Sequence, residues 1–573
     1  MTALERLRRC STLADVALLL GVKPSGLSYI LYKIDDDAKY YEFPIPKRSG
    51  GTRIIHAPID ELKLVQKRLS AHLSLCLQEI TNNNEVEDNC VLSHGFRKGF
   101  SIVSNAKRHR NRRYVFNTDL SEFFPSINFG RVRGYFIQNR DFRLPVKVAT
   151  IIAQIACRNG ALPQGGPCSP IISNLIGNIL DVHLARLASR NGCTYTRYAD
   201  DLSFSTNLKD FPRAIATPDP SGSGGWKAGP ELESRIRRAG FALNPVKTRM
   251  SIRNSRQMVT GLVVNHVVNV PKEYYKNTRA MCDKLFRTGS YDYSYGTKVP
   301  SLGRVLEPLH GRISYIFNVK FPKNDDGDRH SVEWKTGTPP GIYRMYRQFL
   351  DFKYFYGIQR PTILAEGKTD NVYLRAAIRA LGVGYPSLAT IADGKITLIP
   401  HLFKRNETTR VVQELGGGTG ELQTLIPRYQ PSTLGFSAPR PTAPAIILVD
   451  NDSGARPVFS VIRTVKKAVT PIDGTAQFYH IFGNLYVVPL PLQGGAKTDI
   501  ESFLRPAVTG VVLNGKRFHK PNTGLNPNTH FGKAALADYV AKQPPGTVDF
   551  SQFAPILDAI VAVQADYQAN GWR

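Results

Sequence analysis

Short stretches of this chain alternate apolar and polar residues with period two, and others carry apolar residues at helical spacing. The balance between the two changes near residue 361. In the first part, Tyr195, Tyr198, Leu202 and Phe204 surround the acidic pair of Tyr198-Ala199-Asp200-Asp201, which predicts strand, two-carboxylate tip, strand. A second strand is expected over residues 114–120, ending on Asp119 where an acid has no packing reason to be, with Phe123-Phe124-Pro125-Ser126-Ile127 just beyond. Residues 12–32 predict helix, turn, helix, with Gly21 closing the first helix and Ser25 capping the second. The second helix is largely apolar, so the pair is expected to extend the packing and not to read DNA. Residues 43–57 predict a hairpin about Ser-Gly-Gly, followed by an amphipathic helix through Leu62, Leu69 and Leu73. A helix from Ile171 to Leu187, a Gly-kinked strand at residues 259–265 and helices over 272–319 complete this part.

Residues 321–360 predict a connector containing an aromatic-rich helix from Tyr343 to Tyr356. Beyond it strands alternate with helices. The unbroken apolar runs at residues 445–449 and 485–490, with residues 362–365, are what a buried parallel sheet requires. The last forty residues are expected to form a helical cap.

Composition narrows the function classes. The 573 residues suggest about two to four domains. A formal charge of +29 and a pI near 9.8 point to a polyanionic partner. No apolar run is expected to span a membrane and the first residues lack the apolar core of a signal peptide, so nucleic acid is the expected partner. Seven scattered cysteines without a Cys-x-x-Cys pair argue for reduced thiols in a cytosol, against zinc knuckles and a disulfide frame.

Candidate chemistry gathers on the acids. Adjacent carboxylates at the tip of a half-buried hairpin repel one another, and a divalent cation removes that penalty. Two such cations clamp the attacking and leaving oxygens of a phosphoryl transfer. Asp119 is the natural third carboxylate for Asp200 and Asp201. A solvated Asp-Asp turn matches the four-residue motif alone equally well, so its neighbours matter. Lys47, Arg48 and Arg53 flank the Ser-Gly-Gly turn and suit a triphosphate. Phe124 is placed to exclude a ribose 2′-hydroxyl, or is a core aromatic. Leu162-Pro163-Gln164-Gly165 lets backbone approach a base pair, with Gln164 to bond it. Lys247 either protonates a leaving pyrophosphate or pairs with the carboxylates. The basic cluster at residues 104–113 lines a nucleic-acid groove or is a solvated face.

In this order the segments resemble reverse transcriptases over residues 1–320: Thr118-Asp119-Leu120, Leu162-Pro163-Gln164-Gly165, Tyr198-Ala199-Asp200-Asp201 and Asn244-Pro245-Val246-Lys247-Thr248. The resemblance implies an α+β right-hand polymerase of fingers, palm and thumb. It implies Asp119, Asp200 and Asp201 as ligands of two Mg²⁺ ions, and dNTP contacts for Arg53. Asn105-Ala106-Lys107-Arg108-His109 and Val259-Thr260-Gly261 resemble the signatures of retron reverse transcriptases, which assigns Asn105, His109, Val259, Thr260 and Gly261 to nucleic-acid binding. Such enzymes copy a structured noncoding RNA, starting from one of its 2′-hydroxyls, into a branched RNA–DNA hybrid in the bacterial cytoplasm. The implied partners are that RNA, its cDNA product and dNTPs, with homo-oligomerisation left open. A group II intron-type mobility enzyme is the alternative, disfavoured by the two retron-like segments.

In residues 361–573, Glu366, Asp450 and Asp452 end apolar strands, with Asp499 or Glu501 following the last. Acids there fall in the crevice where parallel sheets bind ligands and suit Mg²⁺ or Mn²⁺. Helix capping is the bland alternative. Glu366-Gly367-Lys368-Thr369-Asp370 and Asp450-Asn451-Asp452 resemble a TOPRIM domain, an α/β fold with a mainly parallel sheet. Ile500-Glu501 is closest to the overcoming-lysogenisation-defect nucleases. Metal-dependent phosphodiester cleavage by Glu366, Asp450, Asp452 and Glu501 is implied, as is a role in antiphage defence; a catalytically silent scaffold is the alternative. Gly454 comes one residue early for the pattern, and no Walker A motif accompanies it.

Overall fold

The computed structural model describes the chain except residues 47–49, 84–89, 220–224, 293–305, 323–338, 521–523 and 545. Two compact units result, Met1–Pro271 and Lys272–Arg573. The helices Lys272–Thr288 and Leu306–Lys320 therefore belong to the second unit.

In the first unit, β1 (Tyr40–Pro46) and β2 (Thr52–Pro58) form an antiparallel hairpin. The central sheet is built from β3 (Tyr114–Ser121), β4 (Thr194–Tyr198) and β5 (Asp201–Thr206). After the small hairpin of β6 (Ala216–Pro218) and β7 (Trp226–Ala228), it is completed by β8 (Ala242–Ile252). Its order is β4-β5-β3-β8 and all its pairs are antiparallel. Two short strands, β9 (Met258–Val259) and β10 (Leu262–Val263), close the unit.

Phe116, Leu202 and Phe204 are fully buried in one core with the helix Ser169–Arg190 and its neighbours, and β5 is buried at every position after Asp201. That helix is long and apolar enough to cross a membrane, which corrects the expectation from the apolar runs. Two thirds of its apolar window is buried inside this unit, however, so it is the core helix here. The helix pair expected at residues 12–32 forms, as Leu13–Leu19 and Pro24–Tyr32, and turns Val16, Ala17, Leu27 and Ile30 into the same core. Its second cap position is Lys23, ahead of Pro24 at the first helical turn, and not Ser25.

The second unit holds β11 (Thr362–Ala365), the hairpin β12 (Ala389–Ala392) and β13 (Lys395–Leu398), β14 (His401–Leu402), β15 (Ala445–Val449), β16 (Tyr479–Phe482) and β17 (Leu485–Pro489). The sheet order is β14-β11-β15-β17-β16, parallel except for β16 at one edge. Every residue of β11, β15 and β17 is buried, because helices cover both faces. The aromatic helix of the connector forms as Gly341–Asp351 and continues as a wide turn, Phe352–Tyr356, whose rings pack into this unit. The helices Lys533–Lys542 and Ala554–Asn570 supply the cap.

Candidate active site

The antiparallel register of β3 and β5 sets Asp119 directly opposite Asp201, and the Leu120 N–H donates to the Asp200 carbonyl at 3.0 Å. Tyr198 pairs with Asp201, so Ala199 and Asp200 are the whole turn. Ala199 adopts φ 55°, the left-handed region, which costs a side-chain-bearing residue about 1–2 kcal/mol. Asp119 is buried. Its Oδ2 receives Lys247 Nζ at 2.6 Å, and its Oδ1 is enclosed without a partner. Of the two roles open to Lys247, pairing with a carboxylate is the one seen; that hydrogen bond is the first cause of its raised pKa.

Burial, followed by the charge of Asp119, raises Asp200 to about 6. Burial, then repulsion from Asp200 and Asp119, raises Asp201 to about 7. The orphaned Asp119 oxygen thus stands beside two acids that burial and neighbouring carboxylates hold back from ionising, a donor set whose chemistry fits divalent cations. Among the described residues no three His, Cys, Asp or Glu side chains already stand in ligating geometry; Lys247 holds one Asp119 oxygen instead.

An acid whose folded pKa lies above its unfolded value holds its proton longer in the folded state, so its ionisation costs stability. Without divalent cations, stability should therefore fall as pH rises from about 4 through about 7, and Mg²⁺ should restore it above pH 7. Thermal melts at pH 5 and pH 8, with EDTA or Mg²⁺, check this. A Mg²⁺ effect equal at both pH values would count against it.

The turn is held from behind. Arg197, fully buried, forms a bidentate pair with Asp181 (Nε–Oδ1 2.7 Å, NH2–Oδ2 2.7 Å), and its remaining nitrogen donates to the Ala199 carbonyl at 3.0 Å. Burial opposes the guanidinium charge, and Asp181 outweighs it. The Tyr195 hydroxyl donates to Asp181 at 2.8 Å. Gly95 abuts the turn: a Cβ there would lie 2.6 Å from the Ala199 nitrogen. Arg197, Asp181 and Gly95 had no signal in the local pattern, since they meet only in the fold.

The Gln164 loop joins the β1–β2 hairpin, its carbonyl accepting from the His56 N–H at 2.8 Å, while Gln164 Oε1 is buried without a partner. Gly165, at φ 121°, leaves no room for a Cβ against His56. Arg53 is exposed on β2, and Lys47 and Arg48 lie outside the described residues. Phe124 is half-buried between Phe123 and the exposed ring of Phe96.

Burial corrects the assignment of Asn105, His109 and Val259 to nucleic-acid binding, whereas Thr260 is half-buried and Gly261 exposed. Asn105 and His109 are fully enclosed. Ser205 Oγ lies 2.8 Å from His109 Nδ1, His109 Nε2 lies 2.7 Å from Thr196 Oγ1, and the Thr196 hydroxyl donates to Asn105 Oδ1 at 2.5 Å. With Thr196 donating onward, Nε2 carries the ring proton. Burial lowers His109 to about 3, so the ring is neutral. Val259 is buried as well, while Thr260 (φ 46°) and Gly261 (φ 82°) turn β9 into β10; Thr260 donates to the Ile102 carbonyl at 3.3 Å. Asn105 and His109 tie the helix Ile102–Arg108 to β4 and β5, and Thr260 ties its first residue to the β9–β10 turn. His109→Phe should destabilise the protein by about 1–3 kcal/mol, through the stranded hydroxyls, with RNA affinity per folded molecule unchanged. Denaturant melts and filter binding separate the two effects.

In the second unit the Asp450 N–H donates to Glu366 Oε2 at 3.2 Å, so β11 and β15 do bring their terminal acids together. Burial, followed by Asp370, Glu366 and Asp499, raises Asp450 to about 8; burial also raises Glu366 and Glu501. Lys533 pairs with Glu501 at 2.8 Å and Lys520 with Asp499 at 2.6 Å. Glu501 Oε1 is buried without a partner. Asp452 is exposed and caps its own turn, accepting from the Gly454 N–H at 2.7 Å, and its charge still helps to raise Glu366. Asp370, buried and raised by burial, joins Glu366 and Asp450 in this cluster.

The first unit, with acids at a β-hairpin tip opposite a third acid on the adjacent strand, belongs to the polymerase class: the family described as reverse transcriptase (RNA-dependent DNA polymerase) matches residues 45–276. The chain is 30% identical over 310 residues to the retron Ec86 reverse transcriptase of Escherichia coli, covering 54% of this chain and 85% of that protein. It is 34% identical over 294 residues to the retron Mx65 reverse transcriptase of Myxococcus xanthus, covering 48% of this chain and 63%, less than two thirds, of that one. The chain belongs to the retron reverse transcriptase family. A solved telomerase of Candida tropicalis, in complex with a fragment of telomeric RNA, aligns with a TM-score of 0.31 at 13% identity, over 55% of this chain and 53% of that one.

Proposed function

We propose that the chain is an RNA-directed DNA polymerase that copies a structured noncoding RNA into branched, RNA-linked single-stranded DNA. The observation that carries this is the placing of Asp119 opposite Asp201, with Asp200 on the adjoining turn, in a member of the retron family. Two Mg²⁺ ions held by these acids would activate the primer hydroxyl and stabilise charge on the transferring phosphoryl group. The protein's own residues supply the rest. Lys247 balances Asp119, the Gln164 loop braces the β1–β2 hairpin, and Arg53 on that hairpin takes the triphosphate of the incoming dNTP. Phe124 screens the sugar. Purified protein given a cognate RNA, dNTPs and Mg²⁺ should yield DNA that stays joined to RNA until a debranching enzyme is added. Free, unbranched DNA would sink the retron-type priming.

The second unit we infer to be a TOPRIM-type, metal-dependent nuclease acting in antiphage defence in the bacterial cytoplasm. Support comes from the convergence of Glu366, Asp370 and Asp450 at the carboxyl ends of parallel strands and the raised pKa of Asp450. The scaffold reading is favoured by a different observation, the pairing of Lys533 with Glu501, which engages one of the expected ligands. Glu366→Ala with Asp450→Ala decides: toxicity in cells should fall by at least about tenfold while cDNA yield is kept. Unchanged toxicity would leave the scaffold.

A further inference from the structure

Arg405, between β14 and the wide turn Thr409–Gln413, has a side chain only 1% exposed. Among the described residues none of its three guanidinium nitrogens has a hydrogen-bond partner. The nearest carboxylate oxygen, Glu421 Oε2, is 3.8 Å away, too far for a hydrogen bond. A buried cation so poorly matched carries a desolvation cost that its surroundings do not return. Beside it runs Gly416-Gly417-Gly418-Thr419-Gly420, which opens the helix Thr419–Leu434. Gly417 (φ 127°) and Gly418 (φ 107°) hold left-handed conformations that bring backbone close, and a Cβ on Gly417 would lie 3.9 Å from the Arg405 Cδ and Nε. Among the described residues the N–H groups of Gly417, Thr419 and Gly420 find no acceptor, whereas that of Gly418 donates to the Glu366 carbonyl at 3.3 Å. Gly417 and Gly420 are open to solvent.

From this geometry we propose that Arg405 and the glycine turn form a phosphate-binding subsite for a nucleic-acid strand, adjoining the acids of the second unit. Free N–H groups at a helix N-terminus and a guanidinium fork are complementary to phosphate oxygens from two sides. Glu366 and Asp370 are close enough to act on Arg405, so the phosphate would sit next to the acid cluster. That adjacency gives the subsite its use, holding a strand beside the group that would cleave it, and in this the inference rests on the nuclease reading. Glu421 is the internal competitor. Its Oε1 accepts from the Gly416 N–H and its Oε2 faces Arg405.

Hydrogen exchange of the full-length protein over residues 415–422 tests the subsite. Inorganic phosphate, against chloride of equal ionic strength, should slow exchange there at least threefold. The effect should vanish in Arg405→Met, which removes a buried charge without a hydrogen bond and so should not impair folding. Glu421→Gln should sharpen it several-fold, an effect that a merely structural Arg405 would not give. A 5′-phosphorylated hexanucleotide acting at lower concentration than inorganic phosphate assigns the ligand to a strand; no gain over inorganic phosphate overturns that assignment. Protection equal in wild type and Arg405→Met, or absent with both ligands, overturns the subsite. In Glu366→Ala, Asp450→Ala protein the protection should persist even if no nuclease activity exists, which separates failure of the subsite from failure of the nuclease reading.

Discussion

Asp200→Asn should lower DNA synthesis by roughly a thousandfold or more while making the metal-free protein more stable. The two effects have one cause. In the absence of a cation, Asp200 and Asp201 ionise against burial and against each other and Asp119, which holds their pKa values at about 6 and about 7. Replacing one carboxylate by an amide relieves that repulsion, and the relief grows as pH rises through this window, where the remaining acid would otherwise be charging. The same replacement takes a negative ligand from the cations that would stabilise the transferring phosphoryl group, and electrostatic stabilisation of a transition state is the larger quantity, about 10³-fold for one well-placed group. Asp201→Asn should behave alike. Primer extension at saturating RNA and dNTP, with melts in EDTA at pH 5 and pH 8, measures both. Loss of synthesis without a gain in stability at pH 8 would mean that the acids are not in electrostatic conflict; a gain without loss of synthesis would mean that they are not the catalytic set.

How far the sequence discloses such a site depends on which residues depend on local pattern. Asp119 and Asp201 end up opposite each other because Asp119 lies near the end of β3 and Asp201 opens β5, and the antiparallel register sets Phe116 against Phe204. Glu366 and Asp450 are disclosed by fully apolar strands that stop at an acid. Asp452, two residues further along, shares the local pattern and acts on Glu366 through its charge while its Oδ1 folds back on the Gly454 N–H. Asn105 and His109 fail as nucleic-acid contacts. They stand among basic residues and suggest a polar surface, yet the helix that carries them turns both inward to satisfy hydroxyls on β4 and β5. Gly95, Asp181 and Arg405 give no signal at all, because their significance lies in what the fold sets beside them.

The second large effect should come from Arg197, which touches no expected ligand side chain. Arg197→Met alone leaves Asp181 charged and unpaired in the interior, and about 3–5 kcal/mol of stability should be lost. That loss by itself would say only that the pair is buried. Asp181→Asn in the same protein removes the stranded charge, still accepts from the Tyr195 hydroxyl, and should return most of the stability. What the double variant cannot restore is the donor to the Ala199 carbonyl at 3.0 Å, the one side-chain hydrogen bond among the described residues that steadies the left-handed residue of the turn. With the turn free to relax, Asp200 and Asp201 lose their fixed relation to Asp119, and kcat for primer extension should fall roughly ten- to a hundredfold with KM for dNTP little changed. Urea denaturation and steady-state kinetics on the two variants separate packing from positioning. A double variant that is stable and fully active would show that the turn keeps its shape without Arg197, through Gly95 and the strand register alone.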